Sequence, residues 1–171
     1  MRIAIFGNSG SGKSTLAGEL AAANDLAVLD LDTVAWESGQ IAVSRSSEAA
    51  IAAVQDFCVI NSNWVVEGCY SLLIAATLQH MPYLLFLEPG LEQCLNNCRN
   101  RPWEPHKYKS KAEQDQYLDF LLTWVTEYYT RQGDISLSNH RTLFDNYAGP
   151  KQILSEGVYS VGMDMFSRGQ H

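Results

Sequence analysis

Gly7-Asn8-Ser9-Gly10-Ser11-Gly12-Lys13-Ser14 brings together the groups that handle phosphate: spaced glycines, a lysine and a hydroxyl. The glycines permit a tight turn whose successive backbone N–H groups converge on one point. Ile3-Ala4-Ile5-Phe6 precedes this run as an apolar stretch, and Thr15-Leu16-Ala17-Gly18-Glu19-Leu20 continues it as a helical pattern. A turn between a buried strand and a helix start adds the positive helix end to the converging amides. Only a polyanion such as a nucleoside triphosphate uses all of this. In this Walker A reading, Gly7, Asn8, Ser9, Gly10, Ser11, Gly12, Lys13, Ser14 and Thr15 cradle the phosphates. Lys13 reaches the β- and γ-phosphates, and the Ser14 hydroxyl ligates Mg²⁺. A flexible Gly/Ser loop that binds nothing is the alternative, and the strand and helix on either side argue against it.

Acids stand at two later strand ends. Trp64-Val65-Val66-Glu67-Gly68 places Glu67 where a strand should finish beside the loop, a position for holding the metal through water. Leu29-Asp30-Leu31-Asp32 adds two carboxylates at the end of another strand. Ligands of open α/β sheets collect at the carboxyl ends of the strands, so Asp30, Asp32 and Glu67 are expected in one crevice. Each could instead be a simple cap or turn former. Magnesium-assisted phosphoryl transfer needs a metal, an orienting carboxylate for the acceptor and cations over the migrating group. Asp32 fits the carboxylate role, Asp30 a place near the metal, and Arg99 and Arg101 the cations. A helix end that complements its dipole is the duller reading of the two arginines.

Charge supports a local rather than a global polyanion site. The formal net charge is −7, which argues against a general nucleic-acid binder. Five of the twelve Lys and Arg residues nevertheless lie between Arg99 and Lys111 (Arg99, Arg101, Lys107, Lys109, Lys111), with Glu104 the one acid among them. Such a segment could close over phosphates, although Lys107, Lys109 and Lys111 also suit a solvated face. Arg131 and Arg141 suit either a lid or the surface. His106 and His140 have no visible partner and read as structural. Trp36, Trp64 and Tyr70 could line an acceptor pocket, with a core role equally open to Trp64.

These groups need a frame. With 171 residues, 46% hydrophobic and 18% charged, the chain suits one globular domain spanning 1–171. No run is long enough for a membrane span and no signal-peptide plan is visible, so a cytoplasmic location without membrane contact is expected. Cys58, Cys69, Cys94 and Cys98 lack metal-ligand spacing, and Cys94 and Cys98 share an apolar stripe with Leu91 and Leu95. Short apolar strands alternate with helical patterns, which predicts a parallel sheet covered on both faces. Strands are expected at 2–6, 26–30, 64–67 and 83–87, with a fifth at 151–154. Helices are expected at 14–23, 46–60, 71–79, after Pro89-Gly90, and at 136–147. Residues 31–44 read as irregular. Ser110-Lys111-Ala112-Glu113 is a capping-box sequence that should open one long helix ending at Gly133, with Tyr117, Phe120, Leu121, Trp124, Val125 and Tyr128 as its stripe.

At these residues the chain resembles the adenylate-kinase-like group of P-loop kinases, which includes nucleoside monophosphate kinases and shikimate kinase. Within it, the resemblance is to small bacterial adenylate kinase-related or DNA topology modulation proteins. It is carried by Gly7 to Thr15, by Leu29-Asp30-Leu31-Asp32-Thr33-Val34-Ala35-Trp36, by Trp64-Val65-Val66-Glu67-Gly68-Cys69-Tyr70 and by Arg99-Asn100-Arg101. The resemblance implies a three-layer P-loop fold with a five-stranded parallel sheet, an acceptor-binding segment at about 33–60 and a lid at about 99–112. It implies that Arg99 lies over the nucleotide and that Arg101 clamps the transferring group. The family's third strand usually ends in Asp-Gly, where this chain has Glu67-Gly68. Shikimate kinase's glycine triplet is absent, and Arg45 is the only cationic residue between Lys13 and Arg99.

The combined expectation is an ATP- and Mg²⁺-dependent kinase acting on a small-molecule phosphate acceptor. Two others stay open: a nucleotide-binding regulatory protein with incidental ATPase activity, and specifically a nucleoside or nucleotide kinase. The acceptor, ATP against GTP, and the oligomeric state are likewise open at this level.

Overall fold

Strands with no polar face have to be covered from both sides, and this dictates the architecture. The computed structural model describes residues 1–37, 43–105 and 108–155. Five strands form one parallel sheet: β1 (Arg2–Gly7), β2 (Ala27–Asp30), β3 (Trp64–Gly68), β4 (Tyr83–Leu87) and β5 (Lys151–Leu154). Their spatial order is β2-β3-β1-β4-β5. The chain leaves β1 toward one edge and returns later to its other side, so the carboxyl end of β1 is the switch point where a ligand crevice opens. The result is a three-layer α/β fold of the P-loop NTPase type.

The side-chain alternation of each strand feeds two cores. Ile3 and Ile5 of β1, Val65 of β3, and Leu85 and Leu87 of β4 meet Leu16, Ala17 and Leu20 of α1 (Lys13–Asn24). Ala4, Phe6, Trp64, Val66, Leu84 and Phe86 face the opposite layer. There they pack on α3 (Ser47–Ile60) through Ala50, Val54 and Cys58, and on Leu73 and Ile74 of the helix at Ser71–Ala75. Phe6 and Phe86, neighbours in the β1–β4 register, stack with ring centroids 4.8 Å apart. Trp64 is fully buried in this layer, which settles its core role.

Three stretches differ from expectation, the first being the helix expected at 71–79, which is α-helical only over Ser71–Ala75 and is followed by a 3-10 turn at Leu78–His80. Residues 31–44 are not all irregular: Asp32–Ala35 forms a short helix, α2, and Trp36 makes an isolated antiparallel bridge with Ser44. The segment 38–42 lies outside the described residues, as do His106, Lys107 and the tail from 156 on. Counting α4 (Ser71–Ala75) and α5 (Leu91–Arg99), the expected long helix is then two, α6 (Lys111–Gln116) and α7 (Leu118–Glu127). The Ser110 hydroxyl does accept from Glu113 N, at 3.1 Å, as the capping pattern requires. The Glu113 carboxylate accepts from Lys109 N rather than from Ser110. At Tyr117 the helix breaks because its two parts dock differently. No residue of α6 is buried, whereas Leu121, Leu122 and Val125 of α7 pack on Cys94, Leu95 and Cys98 of α5. Tyr117 turns toward Tyr108 instead, and Phe120 is exposed, so two of the six residues of the expected stripe are not core. The second helix also stops at Glu127, short of Gly133. A last helix, α8 (Leu137–Asn146), precedes β5.

No helix among the described residues is long and apolar enough to cross a membrane. All four cysteines are free thiols, and Cys58, Cys94 and Cys98 are buried. Phe86→Ala should cost about 3–5 kcal/mol of stability, because the cavity would open between Phe6 of β1 and His140 and Phe144 of α8. A urea denaturation midpoint well below that of the parent, with an unchanged slope, is the expected result.

Candidate functional site

The turn between β1 and α1 is shaped by close packing as much as by glycine. Gly10 has φ 76° and Gly12, at the helix start, φ 94°, both in the left-handed region that penalises a side chain. A Cβ on Gly10 would also overlap the Cys94 carbonyl of α5. Helix and turn are tied further by Asn97, whose Nδ2 donates to the Gly10 carbonyl at 2.8 Å. Asn8, almost fully buried, points away from the turn's open side. Its Nδ2 donates to the Val125 carbonyl of α7 at 2.9 Å, and its Oδ1 accepts from Ser9 N at 2.8 Å.

Lys13 lies across this turn, 7% exposed, with Nζ donating to the Asn8 carbonyl at 2.8 Å. Burial pulls its ammonium toward the neutral form, but Cys69, Glu67 and Asp32 outweigh that and hold the pKa above the ordinary lysine value. The Ser14 hydroxyl donates to Glu67 Oε1 at 2.7 Å. Burial pushes the Glu67 carboxyl up. Lys13 and Ser14 work against this, while Asp30 and Asp32 add like-charge repulsion, and the net shift is upward. A carboxylate crowded in this way gains from a nearby cation.

Asp30 and Asp32 arrive here because β2 ends beside β3. Leu31 N donates to the Glu67 carbonyl at 2.9 Å, and a Cβ on Gly68 would come within 2.7 Å of the Leu31 side chain. Only a glycine at 68 lets the two strand ends approach so closely. Asp30 Oδ1 accepts from Asp32 N at 2.9 Å, a turn that starts α2. Asp32 Oδ1 accepts from the Tyr70 hydroxyl at 2.8 Å, and that hydroxyl accepts from Trp36 Nε1 at 3.1 Å.

One cleft of ≈ 590 Å³ joins these groups. Ser9, Gly10, Gly12, Lys13, Ser14, Thr15, Asp30, Asp32, Glu67 and Arg101 line it. Gly7, Asn8 and Ser11 are buried beneath it. Arg99 does not line the cleft: it lines an adjoining small hollow with Tyr108 and Tyr117, which Arg101 and Glu104 also line, and donates to Asn96 Oδ1 at 3.2 Å. Arg101 pairs with Glu104 at 3.4 Å. Arg131 sits over the Trp124 ring, 3.5 Å from its centroid, and Arg141 pairs with Glu88, so neither stands at the cleft. Lys111 pairs with Asp115 on the surface.

Sequence reasoning passed over Asn97, Cys69 and Glu104 as cleft residues. The i,i+3 spacing of Arg101 and Glu104 could have flagged that pair; nothing local marks Asn97. The role of His140 was also hidden. Its Nε2 meets the Cys69 carbonyl at 2.7 Å and its Nδ1 the Tyr128 hydroxyl at 2.8 Å, so it joins α8, the end of α7 and the exit of β3. Burial is the main reason that its pKa falls to about 4.

Among the described residues no group of three or more His, Cys, Asp or Glu side chains forms a metal cage. The Ser14 and Glu67 oxygens still suit Mg²⁺, which binds through one or two protein oxygens with water and phosphate supplying the rest.

No family model and no curated protein matches this chain. Among solved structures, a shikimate kinase from Bacteroides thetaiotaomicron superposes with a TM-score of 0.55 at 16% identity, covering 98% of this chain and 93% of that one. A sugar kinase from Janibacter sp. HTCC2649 superposes with a TM-score of 0.51 at 13% identity, covering 90% and 83%. At these identities the likeness establishes the fold, which is related to P-loop kinase structures.

Two outcomes follow from the geometry. Gly10→Ala should destabilise by about 2 kcal/mol or more, combining left-handed strain with overlap against α5, and should lower the thermal midpoint. The folded-state pKa of His140 lies below its unfolded value of 6.5, so its contribution is present above pH 6.5 and is lost as pH falls through about 4. That is worth about 3 kcal/mol over the window. Denaturation of His140→Gln should therefore show a flatter dependence on pH between 6.5 and 4 than the parent; equal slopes would contradict this.

Proposed function

We propose that this chain is an ATP- and Mg²⁺-dependent phosphotransferase that acts on a small hydroxyl-bearing acceptor. One observation carries the reading: the Lys13 turn, the Ser14–Glu67 pair, Asp32 and Arg101 share a single cleft at the switch point of the sheet. The kinases with related folds support it, since one phosphorylates a sugar by name and the other is a shikimate kinase.

In this reading the amides of residues 9–14 and the start of α1 hold the triphosphate. Lys13 leaves the Asn8 carbonyl to contact the terminal phosphates. Ser14 and Glu67 would hold the magnesium, which when bound would neutralise charge on the phosphate oxygens. Asp32 orients the acceptor hydroxyl and takes its proton as the acceptor oxygen bonds to the γ-phosphorus. The bond to the β,γ-bridging oxygen breaks at the same centre, leaving ADP and a phosphorylated acceptor. Arg101 exchanges Glu104 for the migrating phosphoryl group. Arg99 reaches the nucleotide only if the segment 99–112 closes as a lid, which would also exclude water. The segment 33–60 would then supply the acceptor's side of the cleft.

Titration calorimetry with ATP and Mg²⁺ tests the binding step. Lys13→Ala should weaken the nucleotide by about 10–100-fold, the loss of a charged hydrogen-bond donor. A screen of sugars, nucleosides and hydroxy acids for stimulated ADP release tests the transfer. Asp32→Asn should lower that rate at least ~100-fold with nucleotide affinity nearly unchanged. An unchanged rate would remove Asp32 from the chemistry, and no binding heat from the parent would remove the nucleotide.

A further inference from the structure

Asp32 is backed by two aromatic side chains that come from elsewhere in the chain. Trp36 follows α2, and Tyr70 precedes α4 at the exit of β3. Neither is among the residues that line the cleft, whereas Asp32 is. Tyr70 meets the carboxylate from outside that lining, and Trp36 meets Tyr70.

The hydrogen bonds between them have a fixed direction. An indole N–H can only donate, so at the Trp36 contact of 3.1 Å the Tyr70 oxygen must accept. The phenol proton is then left to point along the 2.8 Å contact to Asp32 Oδ1. Burial, and next the Asp32 charge, raise the Tyr70 pKa, so the phenol keeps this proton at neutral pH. A donor that is itself polarised by a second donor binds a carboxylate more strongly than a lone hydroxyl does. Each end of the chain is anchored in backbone. Arg45 N donates to the Ala35 carbonyl at 2.9 Å and Glu37 N to the Val43 carbonyl at 2.8 Å, which holds Trp36 in place. Ile74 N donates to the Tyr70 carbonyl at 3.0 Å, which ties Tyr70 to α4.

We propose that Tyr70, oriented by Trp36, is a positioning residue that fixes the Asp32 carboxylate for the acceptor. This rests on the kinase reading of Asp32. Tyr70 acts in it through Asp32 alone, with no contact to nucleotide or acceptor. Its hydroxyl stabilises the carboxylate in one rotamer and keeps a donor on Oδ1 while the acceptor proton is handed over.

A double-mutant cycle tests it, with water as the acceptor and ADP release from Mg-ATP as the readout. The step then breaks the bond from the γ-phosphorus to the bridging oxygen and yields ADP and inorganic phosphate. Tyr70→Phe, which removes one oxygen, should lower kcat about 10-fold, while KM for ATP stays within about twofold. Trp36→Phe should lower kcat by a smaller factor. In an Asp32→Asn background, Tyr70→Phe should cause no further loss, because its effect passes through a carboxylate no longer present. A merely structural role would lower the rate by the same factor in both backgrounds, and that result overturns the proposal. So would an unchanged kcat for Tyr70→Phe, a rise in KM equal to the fall in kcat, or an Asp32→Asn variant as fast as the parent. Absence of Mg-ATP binding to the parent, read by calorimetry, would overturn the kinase reading beneath it and is a separate result.

Discussion

An ammonium group held almost out of water has to be compensated where it stands, and Lys13 is the group around which this crevice is arranged. One carbonyl, that of Asn8, receives its proton at 2.8 Å. The remaining compensation comes from Cys69, Glu67 and Asp32, which reach it from the ends of two other strands. Burial, and then the like charges of Asp30 and Asp32, drives Glu67 upward even with Lys13 and Ser14 beside it. The two halves are mutually dependent. Lys13 offsets part of the repulsion among the acids, and the acids offset the pull of burial on the Lys13 ammonium. A phosphate chain with a divalent cation matches such a balance, since it carries both signs to the same point.

Holding that balance in register is a packing problem. Gly10 allows the turn to rest on α5, and Asn8 stitches it to α7. Gly68 allows the end of β2 to lie on β3, and so sets where Asp30 and Asp32 emerge. Behind the crevice, the Tyr128–His140–Cys69 chain links α7 and α8 to the exit of β3.

Much of this was legible in the residues. Ile3 to Phe6, Trp64 to Val66 and Tyr83 to Leu87 could only be buried strands, because no polar position interrupts them. The turn glycines, Lys13 and Ser14 are adjacent in sequence, so their spacing carries their geometry. Asp32 and Glu67 were legible as strand-end acids, but not as partners of Tyr70 and Ser14. The stripe from Tyr117 to Tyr128 misled, since helical period alone does not say whether a face is covered. Phe120 is exposed and Tyr117 turns to Tyr108, while α6 holds no core residue at all. Arg99 and Arg101 are two apart at the end of α5, yet only Arg101 lines the cleft, while both line a neighbouring hollow.

The amino-acid sequence by itself determined the alternation of apolar strands with helices and the whole of the phosphate-type turn, because both depend on near neighbours and on backbone freedom at glycine. Only the tertiary structure decided which distant groups meet: Ser14 with Glu67, Asp32 with Tyr70 and Trp36, His140 with Cys69, Asn97 with Gly10. Those pairings are set by strand order and by how closely two elements can pack. Neither property is written in local periodicity; both appear only once the sheet has brought residues tens of positions apart to within a hydrogen bond.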